Sequence, residues 1–363
     1  MTPFIILFIY LGILSYFTSS IVDNDKKRKL QAFWGGLGLW ILLALRSWTC
    51  GLDLYYSELG TGYIPNFIKL GEASLKDVLN SNIGYEPGYK ILNWLIFRCV
   101  SNNPQFMLAI IGGIEIALIG YTFYKQSPKI ILSYIAFACL GLYIFSFSGI
   151  RQGLGFAFTF FAFNFIEDRR PWKFLIFILL GTTMHMSSVI FIPAYFVKNL
   201  SLSSKKAFIG ILIVFLFLPF LMPVIQFFSV LLYGKEKYSS YQGGAYNLLI
   251  LYILLLLFSY FVDAKGLQQN RKITQVRWMT LIAIFLQSSG ILSAGALSRI
   301  AFSYSIFFSL LLPYTVSVSA IKSRRQWEFI IVFLLICFFL YVNKDGSFNV
   351  IPYRFFWDEV YNL

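Results

Sequence analysis

PFIILFIYLGILSYFTSSIVDNDKKRKLQAFWGGLGLWILLALRSW, residues 3–48, decides the fold. The stretch from Pro3 to Phe17 carries no charge, and the basic cluster DNDKKRK follows it at 23–29. An apolar run with its positive charge behind it and none in front is the reverse of a cleavable secretory signal. It reads as a retained first span whose start lies outside. A second apolar run returns the chain to the outer side and ends at ILLALRSW, with Arg46 at the helix end.

The remainder repeats this alternation. The 363 residues are 58% hydrophobic, 20% aromatic and only 13% charged, with a mean hydropathy of +0.71. A water-soluble domain of that composition would expose far too much apolar surface. The 40 Phe and 23 Tyr equally exclude a disordered chain. At about 20 residues per span, roughly a dozen crossings would use about 240 residues and leave only connections. The expectation is an all-α polytopic membrane protein with about 12 crossings. It forms one integral membrane domain over 1–363, with no internal repeat or boundary.

The net charge of +14 reads as topology rather than nucleic-acid binding, because the basic residues punctuate apolar runs. Six short connections, at 23–29, 125–129, 167–173, 198–206, 263–277 and 322–328, hold 19 of the 30 Lys and Arg but six of the 16 acids. Placed in the cytoplasm they obey the positive-inside rule, and both chain ends then lie outside. The outer side carries a long extracytoplasmic loop at 48–88, shorter connections at 233–244 and 288–297, and a tail from Asn343. A connection of roughly 40 residues without a clear core is usually functional.

Two stretches do not read as simple spans. EPGYKILNWLIFRCV, 86–100, places Glu86, Lys90 and Asn93 on one helical face; too short and too polar to cross, it reads as an interfacial or re-entrant helix. Residues 172–197 must leave and return between two cytoplasmic loops, yet two full spans need about 40 residues. Two short half-helices meeting at GTTMH, 181–185, solve this, provided the broken backbone is buried in protein or lines a cavity.

Three arginines stand at outer helix ends next to apolar sequence: Arg46, Arg151 in FSFSGIRQG, and Arg299 in GALSRIAFSY. A guanidinium keeps its proton and is costly within a membrane, so either the three snorkel to headgroups or they grip a phosphate-bearing lipid. The forked donor suits bidentate phosphate contacts. His185 is the only histidine; it suits proton transfer, or else satisfies the backbone of a broken helix. Ser187 and Ser188 beside it lack a nucleophile elbow and read as bonding helical carbonyls. Asp53 and Glu86 are outer carboxylates, Asp53 being a candidate base, and Asp358 and Glu359 read as solvated tail. Glu115, in LAIIGGIEIALIG, falls deep in a span, as a functional group or as a structural partner to an arginine. Four cysteines show no metal spacing, and one histidine excludes a multi-histidine site; no metal and no cofactor are expected.

Taken in order, the constellation is Arg46…Gly51-x-Asp53…Tyr56, Glu86-x-Gly88, Arg151-Gln152…Ala157, His185-x-Ser187-Ser188…Pro193, Arg299…Tyr304…Pro313 and Pro352-Tyr353-x-Phe355. It resembles the EpsG-like branch of the Wzy-type polysaccharide polymerases over most of the chain. The resemblance implies a GT-C-class glycosyltransferase at the outer face of a bacterial cytoplasmic membrane. Its substrates would be oligosaccharide repeats carried on undecaprenyl pyrophosphate, joined without metal or nucleotide sugar. Arg46, Arg151 and Arg299 would then bind pyrophosphate, and His185 before Asp53 would take the acceptor's proton. Glu86, Tyr56, Gln152, Tyr304 and Tyr353 would line the substrate, with Tyr55 and Tyr85 as stacking surfaces. Membrane lipid and a chain-length regulator protein are the further partners implied, and nucleic acid is not one.

Rival readings are a membrane-bound O-acyltransferase using His185, an O-antigen-type ligase, and a non-catalytic flippase or transporter. The acyltransferase would need access from the inside, whereas His185 falls near an outer turn. Transporters usually carry internal repeats, and none is seen.

Overall fold

The computed structural model describes residues 1–55, 61–213, 216, 246–262, 271–288, 299–318 and 324–358. Tyr56, Glu359, the connection at 233–244, nearly all of 288–297, and the first residues of the basic connections at 263–277 and 322–328 lie outside them. The described residues are helical. They contain no named strand, only an isolated antiparallel bridge between Arg46 and Phe355. The chain divides into two compact units, Met1–Val189 with Phe329–Leu363, and Ile190–Glu328.

In the first unit, α1 (Thr2–Ser19) and α2 (Asn24–Ala44) are separated by the basic cluster. Asp23 caps α2 by accepting from the backbone N–H groups of Asp25 and Lys26 at 2.9 and 3.1 Å, which satisfies two of the orphan donors at the helix start. On α1, Phe4, Leu7, Phe8 and Leu11 are buried at helical spacing, while Ile5, Ile6, Ile9 and Ile13 are exposed. A helix apolar on both faces packs on protein with one and needs lipid on the other. Thr2–Ser19, Pro104–Gln126 and Gln326–Asn343 are long and apolar enough to cross a membrane, and five further apolar helices are shorter. The chain is an integral membrane protein.

The long connection at 48–88 is not structureless. It folds into α3 (Tyr63–Glu72), α4 (Leu75–Asn80) and α5 (Pro87–Cys99), which pack together and against α6 (Pro104–Gln126). Leu54, Ile64, Phe67, Tyr89 and Ile96 form a buried core with Met107, Leu108 and Ile111 of α6. The polar stripe of α5 faces inward rather than toward an interface. Lys90 is 6% exposed and donates to the Ser81 carbonyl at 2.8 Å; Asn93 is also buried and donates to the Tyr89 carbonyl at 2.7 Å. Those bonds, with the aliphatic stem of lysine packed on apolar neighbours, are why a stripe that looks amphipathic belongs to the core.

Beyond α6 come α7 (Ile130–Cys139), α8 (Leu142–Ser146), α9 (Ile150–Ala162), α10 (Asn164–Glu167) and α11 (Pro171–Met184). Helix α11 stops one residue before His185, whose φ of −154° and ψ of 125° are extended. A 3-10 helix, Met186–Asn199, follows with Pro193 inside it. The break therefore falls at the expected place, but the second half is the stretched kind of helix. At about 1.5 Å per residue α11 rises about 21 Å, whereas the same number of residues at about 2.0 Å rises about 28 Å.

In the second unit, Tyr246–Phe261, Arg271–Ser288 and Phe308–Val318 pack on one another. Arg277, counted above among cytoplasmic loop cations, is instead a fully buried helix residue. Its Nε donates to Ser259 Oγ at 3.1 Å, its Nη2 donates to the Ser259 carbonyl, and its guanidinium lies 4.0 Å from the Tyr260 ring centre.

Candidate functional site

Helices α9 and α11 meet through glycine. A Cβ at Gly181 would stand 3.2 Å from the Gly155 carbonyl oxygen; one at Gly155 would stand 2.8 Å from Ser188 Oγ and 3.2 Å from His185 Cβ. Only the missing side chains allow this approach, and it carries the end of α11, with His185, against α9.

Arg151 is the second residue of α9, and its side chain is only 18% exposed. Its Nε donates to the Tyr63 hydroxyl at 3.2 Å, and its Nη1 donates to the Gly84 carbonyl at 3.1 Å and to Glu86 Oε2 at 2.6 Å. The Tyr85 ring lies under the guanidinium, 4.3 Å from its centre, and Tyr63 stacks on Tyr85 at 5.4 Å. Asn66 donates to the Tyr85 hydroxyl at 2.9 Å, and burial pushes that hydroxyl well above its ordinary range. Among the described residues Nη2 has no protein acceptor. The cation is thus pinned by three acceptors and a ring, with one donor nitrogen still to be used.

Glu86 precedes Pro87 as the N-terminal residue flanking α5. Its second oxygen, Oε1, accepts the backbone N–H of Met186 at 2.9 Å. One carboxylate therefore touches both the start of α9 and the chain just beyond His185. His185 is half-buried. Its Nδ1 lies 2.7 Å from Ser187 Oγ, and the Ser187 backbone N–H points at the same nitrogen at 3.3 Å. A ring nitrogen that receives a backbone N–H is the unprotonated one, so the neutral ring carries its hydrogen on Nε2. Ser187 thus serves the histidine rather than a helical carbonyl, and Ser188 Oγ is buried without a hydrogen-bond partner.

Asp53 sits beside this cluster. Its carbonyl accepts from the Tyr63 N–H at 3.1 Å, Leu52 N donates to Ser148 Oγ at 2.9 Å, and its carboxylate is within electrostatic reach of Tyr85. Arg151, Glu86, His185 and Asp53 are therefore brought to one end of the first unit. Tyr63, Gly84 and Asn66 belong with them and escaped sequence reading. Their signal, a tyrosine opening an amphipathic helix and a glycine before an X-Glu-Pro turn, is too common to single out. Tyr55 and Tyr85 pack partly buried on the neighbouring core.

The other expected residues have surroundings of their own. Arg46 is 2% exposed, its Nη1 reaching the Ser146 carbonyl at 3.5 Å and its guanidinium 5.0 Å from the Phe147 ring centre. Ser146 Oγ donates to Glu115, itself 1% exposed, and the Arg46 and Glu115 charges attract one another. The tail closes over Arg46 through the Ser47 N–H to Arg354 carbonyl bond at 2.9 Å. Arg46 is thus an enclosed cation with Glu115 in electrostatic reach, and its Nε is buried without a hydrogen-bond partner among the described residues. Tyr353 is buried and donates to the Leu42 carbonyl at 2.8 Å, and Gln152 is buried within α9. Asp358, read as solvated, is exposed and accepts from the Phe355 N–H at 2.8 Å. In the second unit Arg299 is exposed, while Tyr304 is buried, its hydroxyl donating to the Ile190 carbonyl at 2.8 Å and its ring against Phe191. No group of three metal-ligating side chains occurs among the described residues.

A mostly dehydrated guanidinium with a donor to spare, beside a carboxylate and an imidazole, is equipped to hold an anion and move a proton. In an integral membrane bundle this arrangement suits an enzyme of the membrane-polymerase kind. The chain belongs to the EpsG family, a family of Wzy-like polysaccharide polymerases whose family model matches residues 33–355. No curated relative and no solved structure matches the chain significantly.

Proposed function

We propose that the chain polymerises oligosaccharide repeats carried on undecaprenyl pyrophosphate, at the outer face of a bacterial cytoplasmic membrane. The reading includes about a dozen crossings, a GT-C-type arrangement, and catalysis without a metal. A chain-length regulator would be a natural partner. The observation that carries it is Arg151: held on three sides, part-exposed, and paired with the carboxylate that also meets the Met186 amide next to His185.

A hydroxyl of one repeat attacks the anomeric carbon of the lipid-linked chain, the bond to the diphosphate breaks, and negative charge builds on the departing oxygen. A fixed donor in a poorly hydrated site stabilises that charge without first having to reorganise, and removing one such donor typically costs about 10²–10³ in rate. Arg151 supplies the cation and His185 Nε2–H a second donor. The acceptor's proton passes to Asp53, a contribution of about 10²–10⁴. This reverses the order of the two candidate bases, because the backbone N–H on Nδ1 leaves His185 as a donor. For Arg299, exposed in the second unit, the expected pyrophosphate role has its own test.

The experiment is polymer length in cells carrying Arg151→Lys. Lysine keeps the charge but cannot make three directed bonds and still present a donor. Surface polymer should shrink to single repeats displayed outside the membrane at normal protein level. Long polymer would refute the assignment, and repeats trapped inside would point to a transporter instead.

A further inference from the structure

We propose that Glu86 is a positioning residue, not a sugar contact: its carboxylate spans Arg151 and the Met186 amide and so sets the orientation of His185. The activity arm of this inference rests on the polymerase reading; the structural arm does not.

Both oxygens of Glu86 are engaged, Oε2 by the Arg151 guanidinium at 2.6 Å and Oε1 by the Met186 N–H at 2.9 Å. The carboxylate side chain is 18% exposed, so little of it is left to meet a substrate. The amide of Met186 belongs to the peptide that follows His185, and the rotation of that peptide is the ψ of His185, here 125°. Holding the amide therefore holds the residue where α11 ends. Met186 opens the 3-10 helix, and an N–H in that first turn has no partner within the helix. Glu86 is that partner. Its own position is fixed by Pro87, which starts α5, and by Gly84, whose carbonyl shares the same arginine nitrogen. The bridge needs two acceptor oxygens. A glutamine has one, and its amide nitrogen would face either the cation or the N–H, both donors.

Since His185 is the only histidine, protein labelled at histidine and purified with a histidine-free tag gives one imidazole spectrum. Two variants cut the bridge from opposite sides. Glu86→Gln removes one acceptor. Met186→Pro deletes the amide hydrogen but keeps the ion pair; the extended His185 backbone is the conformation a residue before proline prefers, and proline is tolerated in a helix's first turn.

In lipid nanodiscs without substrate, both variants should shift or split the His185 resonances relative to wild type. Unchanged resonances in both would overturn the proposal. With lipid-linked repeat supplied, Glu86→Gln should lower kcat at least tenfold with KM within about twofold, and Glu86→Asp, which keeps two oxygens, should recover part of the loss. A raised KM with intact kcat would make Glu86 a substrate contact and overturn it. If wild-type protein makes no polymer from that substrate, the polymerase reading fails and the imidazole result still decides the bridge.

Discussion

Arg46 and Glu115 stand 2% and 1% exposed, with Ser146 between them. Replacing Arg46 by Met keeps most of the volume and removes the charge, leaving Glu115 with a hydroxyl donor but no cation. Breaking one side of a buried pair typically costs about 3–5 kcal/mol, whereas replacing both sides with neutral groups is often near neutral. Glu115→Gln should cost a similar amount, because Arg46 is then the uncompensated charge. The double variant, Arg46→Met with Glu115→Gln, should return close to wild type. The cycle then yields a coupling of about 6–10 kcal/mol in magnitude, well above the ~0.5 kcal/mol scatter of independent sites. The assay is the unfolding midpoint in mild detergent for the four proteins, with surface polymer measured in parallel. A core pair predicts that polymer follows the folded fraction and reappears in the double variant. Arg46→Met with wild-type stability but no polymer would refute this reasoning and return Arg46 to the substrate.

Three further outcomes follow from the geometry. Gly155→Val places carbon where Ser188 and His185 already stand, 2.8 and 3.2 Å from the first added atom; overpacking should destabilise by about 1–3 kcal/mol, and the His185 resonance should shift. Gly12→Val, where nothing lies within 4 Å, should do neither. Tyr353→Phe deletes one buried hydrogen bond to Leu42 and should cost about 1–3 kcal/mol of stability for the unpaired carbonyl, with polymer of normal length; a specific loss of polymer would make the hydroxyl a substrate contact. Arg299→Lys should reduce polymerisation by about 10²–10³ if the guanidinium meets the diphosphate, read as rate at equal protein level, and a wild-type rate would remove it from the site.

Composition and charge spacing were enough to read the helical membrane protein, because an excess of apolar residues and the asymmetry of basic loops are properties of the whole chain. The break at His185 was legible for a simpler reason: too few residues lay between two basic loops to go out and back. Its solution as a 3-10 segment was not, since the choice of helix type depends on neighbours. The long connection at 48–88 drew notice by length alone. That Lys90 and Asn93 point into its core could not be read, because a polar residue on a helix face looks the same whether water or a backbone carbonyl satisfies it. Arg151, Glu86, His185 and Asp53 were picked singly from the sequence. Their convergence depends on the glycine contact between α9 and α11 and on the turn before α5. Tyr63 and Asn66 had no signal, for their roles exist only once Arg151 is in place.

Arg46, Arg277 and Arg151 show why residue type alone could not assign the roles. Arg46 has a carboxylate in electrostatic reach and is closed off by the tail. Arg277 spends its nitrogens on Ser259 and its face on Tyr260. Arg151 also has a carboxylate and a ring, yet it joins 18% side-chain exposure to a terminal nitrogen lacking a protein acceptor among the described residues, whereas the unpartnered Nε of Arg46 is enclosed. A guanidinium has five donor hydrogens in a fixed fork. Arg277 spends its fork on the protein, because an unsatisfied donor in a dry interior costs about 1–3 kcal/mol, more for a charged group; Arg46, with Nε buried and unpartnered, bears part of that cost. An arginine meant to receive an anion must leave part of the fork open and hold the rest rigid, or the energy of binding goes into ordering the side chain. Arg151 meets both conditions. The ion pair with Glu86 does not disqualify it, since that pair uses Nη1 and leaves Nη2 for a second anion.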